Sequence, residues 1–290
     1  MTRRVALVGA NGQLGCDLQR AWAERCPSDT LVTLGHTAIE VGDGASVSAA
    51  LQGARPDLVI NTSAFHKVDV VEDDVPRAFE VNAIGARNLA LVCRDLEAVL
   101  VHLSTDYVFS GVRGRPYRED DGVDPVNTYG VSKAAGEMLI RYLWPHHFIV
   151  RSSGLYGVAG SSGKGGNFVE LMLKLGSEGR PIRVVNDQVL TPTATRALAR
   201  QIAALCGTTS FGTYHATCQG QCSWYEFAVE IFRQTKMSVS LSPQTTMESG
   251  AKARRPPFSV LDNARLREIG LDIMPPWQDA LAGYLRERRE

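Results

Sequence analysis

The stretch Val5-Ala6-Leu7-Val8-Gly9-Ala10-Asn11-Gly12-Gln13-Leu14-Gly15-Cys16-Asp17-Leu18 constrains this chain more than any other. Four apolar residues that stop at a glycine read as a buried strand. Leu14, Leu18, Ala21 and Trp22 recur at helical spacing directly afterwards. Between the two elements, Gly9, Gly12 and Gly15 let the backbone turn tightly and come close to a ligand. A strand, a glycine turn and a helix in that order present N–H groups and the positive end of a helix dipole, which suits a pyrophosphate. The spacing G-x-x-G-x-x-G differs from the dinucleotide pattern G-x-G-x-x-G, so the flanking strand and helix carry the reading. A plain βα turn is the alternative.

The alternation set up there continues. Short runs rich in Val, Leu and Ile at 31–34, 58–60, 99–103 and 148–150 are separated by longer amphipathic segments, one of them carrying Ala78, Val81, Leu89 and Val92. Connections of that length admit helical crossovers, so the expected fold is α/β, a doubly wound parallel sheet of the Rossmann type. After Arg151 the texture changes. Residues 153–166 hold six glycines and read as a mobile loop rather than an element. Further on, 195–206 reads as a helix, 214–218 as a strand and 224–234 as a helix, with Ser223 and Glu226 spaced as a capping box. Prolines punctuate 254–258 and 274–277. The expected division is a dinucleotide-binding domain over 1–153 plus about 182–217, and a smaller substrate-binding domain over about 154–181 and 218–290.

Composition excludes several classes of partner. Lys plus Arg and Asp plus Glu both total 31, with no long run of either sign, so the electrostatic footprint of a nucleic-acid binder is missing. The run at 286–290 reads as the solvated end of a helix. Six cysteines at 16, 26, 93, 206, 218 and 222 form no disulfide framework and suit reduced thiols in a cytoplasm. His215, Cys218 and Cys222 lack the spacing of a zinc site, and no metal is expected. No stretch approaches the roughly 20 apolar residues of a membrane span, and the apolar run 5–8 is too short for an export signal.

Candidate chemistry gathers on two segments. Ser104, Thr105 and Asp106 leave the fourth strand where a parallel sheet delivers side chains to a ligand crevice. Tyr129 and Lys133, four residues apart in Tyr-Gly-Val-Ser-Lys-Ala-Ala-Gly-Glu, share one face if that segment is helical. A hydroxyl, a phenol and an ammonium can surround a carbonyl oxygen, as hydride transfer requires. The ammonium is expected to lower the phenol's pKa from about 10. Without the glycine loop, a merely packed tyrosine would be the plainer reading. No acidic residue closes the second strand at 31–36 to hold a ribose 2′-hydroxyl, and no arginine stands there for a 2′-phosphate, so NADH and NADPH both remain open.

Taken together, the glycine loop, the hydroxyl after the fourth strand and Tyr-x-x-x-Lys resemble the extended short-chain dehydrogenase/reductases. More closely, GANGQLG, DLVINTSAFHKVD, STDYVFSG, YGVSKAAGE, GGNFVE, VVNDQVLTPT and CSWYEFA look like the dTDP-4-dehydrorhamnose reductase family along nearly the whole chain. That resemblance implies reduction of the C4 ketone of a nucleotide-activated 6-deoxy sugar, such as dTDP-4-dehydro-L-rhamnose, by NADPH or NADH. It implies that Gly9, Asn11, Gly12, Gln13 and Leu14 wrap the cofactor phosphates, that Glu40 and Val41 lie beside the adenine, and that Ser63, Ala64 and Phe65 lie on the cofactor. Thr105 would hydrogen-bond the ketone, Tyr129 would protonate it, and Lys133 would hold the nicotinamide ribose. Asp106, Asn167, Gln188 and Arg255 would meet the sugar nucleotide.

The chain also departs from the family pattern. Arg151-Ser152-Ser153-Gly154-Leu155-Tyr156-Gly157 puts glycine where the rhamnose-forming enzymes carry a tryptophan that packs on the sugar, so an apolar wall is expected to be lost. His66 and Lys67 replace a Thr-Ala-like pair. Two other readings share the scaffold. A nucleotide-sugar epimerase or dehydratase needs a further acid or base, and dehydratases carry Thr-Asp-Glu where this chain has Thr105-Asp106-Tyr107. A non-catalytic regulatory subunit resembling the methionine adenosyltransferase beta subunit also departs at the tryptophan position, and its partner would be a protein. A homodimer is compatible with the resemblance; some rhamnose reductases dimerise through magnesium, but no matching ligand set is found here.

Overall fold

The computed structural model describes residues 2–159 and 166–288. Strands β1 (Arg4–Val8), β2 (Thr30–Leu34), β3 (Leu58–Asn61), β4 (Val99–Thr105) and β5 (His147–Ser152) match the five expected runs, each slightly longer than its apolar core. The short strands β6 (Leu155–Tyr156), β7 (Ile182–Val185), β8 (Val189–Leu190) and β9 (Thr193–Ala194) precede β10 (Gly212–His215), and β11 (Cys222–Ser223) and β12 (Leu241–Gln244) follow it. One sheet of six strands runs β10-β5-β4-β3-β1-β2 with every pairing parallel. The chain steps from β1 outward to β2 and returns to the far side of β1 as β3. The carboxyl ends of β1 and β3 therefore flank a topological switch point, the place where such sheets bind ligands.

Helices α1 (Gln13–Arg25), α2 (Gly44–Ala54), α3 (Val68–Val71), α4 (Val75–Phe79), α5 (Gly85–Asp95) and α6 (Thr128–Leu143) belong to the first half of the chain. They are followed by α7 (Phe168–Ser177), α8 (Thr195–Leu205), α9 (Trp224–Thr235), α10 (Ala264–Glu268) and α11 (Trp277–Glu287). Strand β1 shows why both sheet faces are covered. Val5 and Leu7 point to one side and pack with Leu14, Leu18 and Trp22 of α1 and Leu198 and Ile202 of α8. Ala6 and Val8 point to the other and join Val47 and Leu51 of α2, Leu89 of α5 and Ile140 of α6. A separate apolar cluster joins Tyr156, Val169, Phe227, Ile231, Trp277 and Leu281.

The structure corrects three local expectations. The stripe Ala78, Val81, Leu89 and Val92 is one rod in sequence, but Glu80–Ile84 is a π-helical segment between α4 and α5. Its Asn82 bonds both Phe65 N–H (2.9 Å) and Phe65 C=O (3.0 Å), and also donates to Ser132 Oγ (3.0 Å), which ties it to α6. The loop expected over 153–166 contains a strand, because Leu155 and Tyr156 pair with Thr193 and Ala194. Gly160, Ser161, Ser162, Gly163 and Gly165 of that loop, like residues 289–290 of the charged C-terminal run, lie outside the described residues. The predicted strand 214–218 is β10, shifted to Gly212–His215. The capping box opening α9 forms as predicted, with Glu226 N–H donating to Ser223 Oγ and Ser223 N–H to Glu226 Oε2.

Candidate functional site

Gly9 leaves β1 with φ +80°, in the left-handed region, and a Cβ there would stand 2.5 Å from Thr62 Oγ1. At Gly15 a Cβ would lie 2.3 Å from Gly9 O and 2.7 Å from Ala10 C, so only glycine lets α1 start this close to the loop. Helix α1 begins at Gln13 with Gly12 as its N-cap and no side chain capping it. Its first N–H groups therefore face the turn without a side-chain acceptor, and a phosphate oxygen can take that place. Gln13 Oε1 accepts from Gly157 N–H at 2.9 Å, which links the loop to β6.

The segment 129–137 owes its position to two glycines. A Cβ on Gly130 would sit 2.1 Å from Tyr107 O, and one on Gly136 would sit 2.3 Å from Asn82 O. Removing both side chains seats α6 against the end of β4 and against the π-helical segment. Asn127 caps α6 by accepting from Gly130 N–H at 2.8 Å. Glu137, fully buried, pairs with Arg151 Nη2 at 2.6 Å and accepts from Ser104 Oγ at 2.5 Å, fixing α6 to β5 and β4. Tyr129 then lies edge-on to Tyr107, ring centroids 5.9 Å apart, with Thr105 hydrogen-bonded to its hydroxyl.

Electrostatics around this group differ from the sequence expectation. Burial pushes the Tyr129 phenol pKa up, the Asp106 and Tyr107 charges add to the rise, and Thr105's hydrogen bond opposes it. Lys133 has no part in that balance. Its ammonium, 1% exposed, is turned to Leu103 O at 2.6 Å and to His102 Nε2 at 3.1 Å. The predicted lowering of the phenol is thus reversed, because burial dominates and the lysine's partners lie on β4. Burial brings Lys133 itself down to about 8, with Glu137 acting against it. It also takes His102 well below the ordinary imidazole value, with Lys133 and His147 adding to the effect. His102 Nδ1 meets Asn61 Nδ2 at 3.0 Å, and Asn61 Oδ1 accepts from both Ser63 N–H and Ser63 Oγ. The end of β3, the Ser63 turn and the lysine thus form one connected unit.

Both parts open into one cleft of about 340 Å³, lined by Gly12, Gln13 and Leu14 of the glycine turn and by Thr105, Tyr129 and Lys133. A phosphate-binding turn continuous with a hydroxyl, a phenol and an amine is the arrangement of a nicotinamide-dependent reductase. Comparison with known proteins bears directly on this. Residues 3–290 match the family described as RmlD substrate binding domain. The chain is 40% identical over 286 residues to the spore coat polysaccharide biosynthesis protein SpsK of Bacillus subtilis (strain 168), covering 98% of each chain. It is 39% identical to the dTDP-4-dehydrorhamnose reductase of Streptomyces griseus, over 96% of this chain and 91% of that one. The structure of dTDP-4-dehydrorhamnose reductase from Bacillus anthracis str. Ames in complex with NADP superposes with a TM-score of 0.93 at 40% identity, over 99% of this chain and 100% of that one.

The chain belongs to the dTDP-4-dehydrorhamnose reductase family. It is an NAD(P)H-dependent oxidoreductase, and the glycine cradle and uncapped helix fit that cofactor's phosphates. Within this reductase fold the other predicted residues are placed unevenly. Ala64 lines the cleft; Ser63 and Phe65 are half-buried beside it, their backbones held by Asn61 and Asn82. Asn11 is exposed on the glycine turn. Glu40 and Val41 follow β2 and do not line the cleft. Glu40 pairs with Arg77 at 3.2 Å, and Val41 is core beneath α5. Asn167 lines the cleft while capping α7 and donating to Gly157 O and Tyr284 OH. Gln188 lines it and donates to Thr246 Oγ1. Arg255 stands behind Tyr107, its guanidinium held by Asp69 at 2.9 Å. Asp106 is enclosed by hydroxyls.

Sequence reading missed two residues of the cleft wall and one brace outside it. Trp224 opens α9 with its ring 4.6 Å from Phe168 and lines the cleft, as does Leu190. At Gly154, φ +56°, a Cβ would lie 2.8 Å from Leu190 Cδ1. Leu190 therefore occupies the space that a side chain at 154 would need, and the wall expected to be lost is apolar after all. Arg77 is the third. It reaches the loop after β2 from α4, 37 residues away in sequence from Glu40, a distance no local pattern reveals. Among the described residues no group of three or more His, Cys, Asp or Glu side chains converges to hold a metal.

Proposed function

We propose that this protein reduces the C4 ketone of a nucleotide-activated 4-keto-6-deoxy sugar, with dTDP-4-dehydro-L-rhamnose as the leading substrate and dTDP-L-rhamnose as its product. The observation that carries the reading is the convergence of Thr105, Tyr129 and Lys133 on a cleft continuous with the glycine turn. Gly9, Asn11, Gly12, Gln13 and Leu14 would receive the cofactor phosphates, Ser63, Ala64 and Phe65 would flank it, and Lys133 would meet the nicotinamide ribose. Bound there, the reduced nicotinamide supplies the hydride. Tyr129 holds its proton firmly, since burial disfavours the phenolate. It delivers that proton to the C4 oxygen as negative charge develops on it. Thr105 holds the same oxygen, and Trp224 and Leu190 offer apolar surface to the sugar. With Lys133 at about 8, its charge is retained at neutral pH, held on β4 by Leu103 O and His102.

Residues of 12–155, 166–195 and 224–259 line this one cleft, so the expected dinucleotide-binding and substrate-binding portions would both contribute to it. All six cysteines are free, which fits a reducing cytoplasm. No helix among the described residues is long and apolar enough to cross a membrane. Turnover across dTDP- and UDP-linked 4-keto-6-deoxy sugars, read as loss of NADPH or NADH absorbance, tests the proposal. Oxidation with a dTDP-linked ketone is expected. Tight binding of NADPH with no turnover on any of these sugars would replace the reductase reading by that of a regulatory subunit.

A further inference from the structure

Asp106 directly follows Thr105, and its carboxyl group is 3% exposed. Three hydroxyls from three stretches of chain surround it. Oδ2 lies 2.8 Å from Ser153 Oγ at the end of β5 and 2.6 Å from Ser259 Oγ in the C-terminal tail. Oδ1 lies 3.0 Å from Thr105 Oγ1. Among the described residues no cation bonds to it. Around it stand Tyr107 on its own segment and Tyr129 on α6. Arg255, in the tail, is already paired with Asp69 of α3, and Lys133 is held on β4.

These contacts admit two proton arrangements with different chemical consequences. An ionised carboxylate only accepts hydrogen bonds, so Thr105 would spend its single proton on Oδ1 and have none for a ketone oxygen. A neutral acid fits the same distances with the polarity reversed. Its carbonyl oxygen Oδ2 has two lone pairs for two serine hydroxyls, and Oδ1–H donates to Thr105 Oγ1. Thr105 then accepts from Oδ1–H and from Tyr107 N–H, the latter at 3.2 Å, and its own proton is left for the cleft, where the Tyr129 hydroxyl is its partner until a ketone oxygen takes that place. Burying a carboxylate whose partners are three hydroxyls and its own backbone N–H, with no cation among them, is unfavourable, which favours the neutral form. The carboxyl pKa accordingly moves up, driven by burial against the pull of Ser259, Ser153 and Thr105. The two serines are themselves anchored: Ser153 is 1% exposed, and Ser259 N–H donates to Val189 O at 2.8 Å.

We propose that Asp106 is a positioning residue that works as a neutral carboxylic acid, its proton turning the Thr105 hydroxyl so that Thr105 donates to the C4 oxygen beside Tyr129. The identity of that oxygen rests on the reductase reading; the protonation state of Asp106 does not. Infrared difference spectroscopy between wild type and Asp106→Asn, with aspartate carboxyls isotopically labelled, is expected to show a protonated carboxyl C=O band near neutral pH that the variant lacks. In turnover, Asp106→Ala is expected to lower kcat about 10²-fold with KM little changed, as for loss of one oxyanion donor. Asp106→Asn should restore most of that loss, because its amide NH₂ donates to Thr105 while its C=O accepts from both serines. Activity of the wild type should fall as pH rises through the pKa of Asp106, and the Asn variant should lack that limb. If Asp106→Ala does not fold, the infrared band and the pH limb decide. A missing carboxyl band, or an Asn variant no better than Ala, would overturn the proposal. The band remains readable even if no sugar is reduced, which separates this failure from failure of the reductase reading.

Discussion

Glycine to alanine inside a helix ordinarily stabilises a protein by about 0.5–1 kcal/mol, and at Gly130 the structure reverses that sign. The added Cβ would meet Tyr107 O at 2.1 Å, and Tyr107 O is backbone that no rotamer change can move aside. Reaching even 3.0 Å requires α6 or the Tyr107 turn to give by about 0.9 Å. Overpacking of this kind costs about 1–3 kcal/mol. At about 2–4 °C per kcal/mol for chains of this size, Tm should fall by roughly 2–12 °C. Tyr129 is the adjacent residue, so its hydroxyl shifts with the helix. A misplacement near 1 Å lowers the chemical step about 10²-fold. Gly283, inside α11 with nothing within 4 Å of its would-be Cβ, is the internal control, and Gly283→Ala should raise Tm with unchanged turnover. Calorimetry and steady-state kinetics on the two variants side by side test the reasoning. A Gly130→Ala protein as stable and active as wild type would refute the claim that this close approach sets the position of Tyr129.

Three further outcomes are expected. Gly15→Ala, whose Cβ would lie 2.3 Å from Gly9 O, should weaken NADPH binding at least about tenfold by titration while the nucleotide-sugar KM changes little. The pKa of Lys133 is lowered to about 8, so the lysine is charged below that value and neutral above it. kcat/KM should therefore decline as pH rises through about 8, and Lys133→Arg, which keeps its charge, should lose that limb at reduced activity. Trp224→Ala removes an aromatic face from the sugar side of the cleft and should raise the nucleotide-sugar KM by about tenfold with NADPH affinity retained.

How much of this was legible in the sequence depends on whether the signal is local. Five strands and the capping box of α9 were readable because burial on both faces leaves unbroken apolar runs and because capping is an i to i+3 pattern. Thr105, Tyr129 and Lys133 were readable as a set because the spacing of four and the strand exit are both local. The π-helical segment was not, since its cause is Asn82 reaching back to Phe65, a contact 17 residues away. The protonation logic was misjudged for a related reason. Spacing brings Lys133 to the same helix face as Tyr129, but His102 and Leu103 O, 31 and 30 residues earlier, capture its Nζ. Asp106 lines the cleft, as its adjacency to Thr105 suggested, but its enclosure by hydroxyls depends on Ser259, 153 residues away, and no local pattern shows it. Gly154 was read as a lost wall because Leu190, which fills that space, comes from a different strand.

The central claim is that Tyr129 donates the proton to a sugar C4 oxygen in a site whose cofactor grip lies elsewhere. Single-turnover oxidation of bound NADPH by dTDP-4-dehydro-L-rhamnose, measured for wild type and Tyr129→Phe beside a direct titration of NADPH binding, tests it most directly. Loss of about 10²–10⁴ in the rate of the chemical step with NADPH affinity within a few-fold of wild type is the predicted result. Turnover by Tyr129→Phe at the wild-type rate would contradict it.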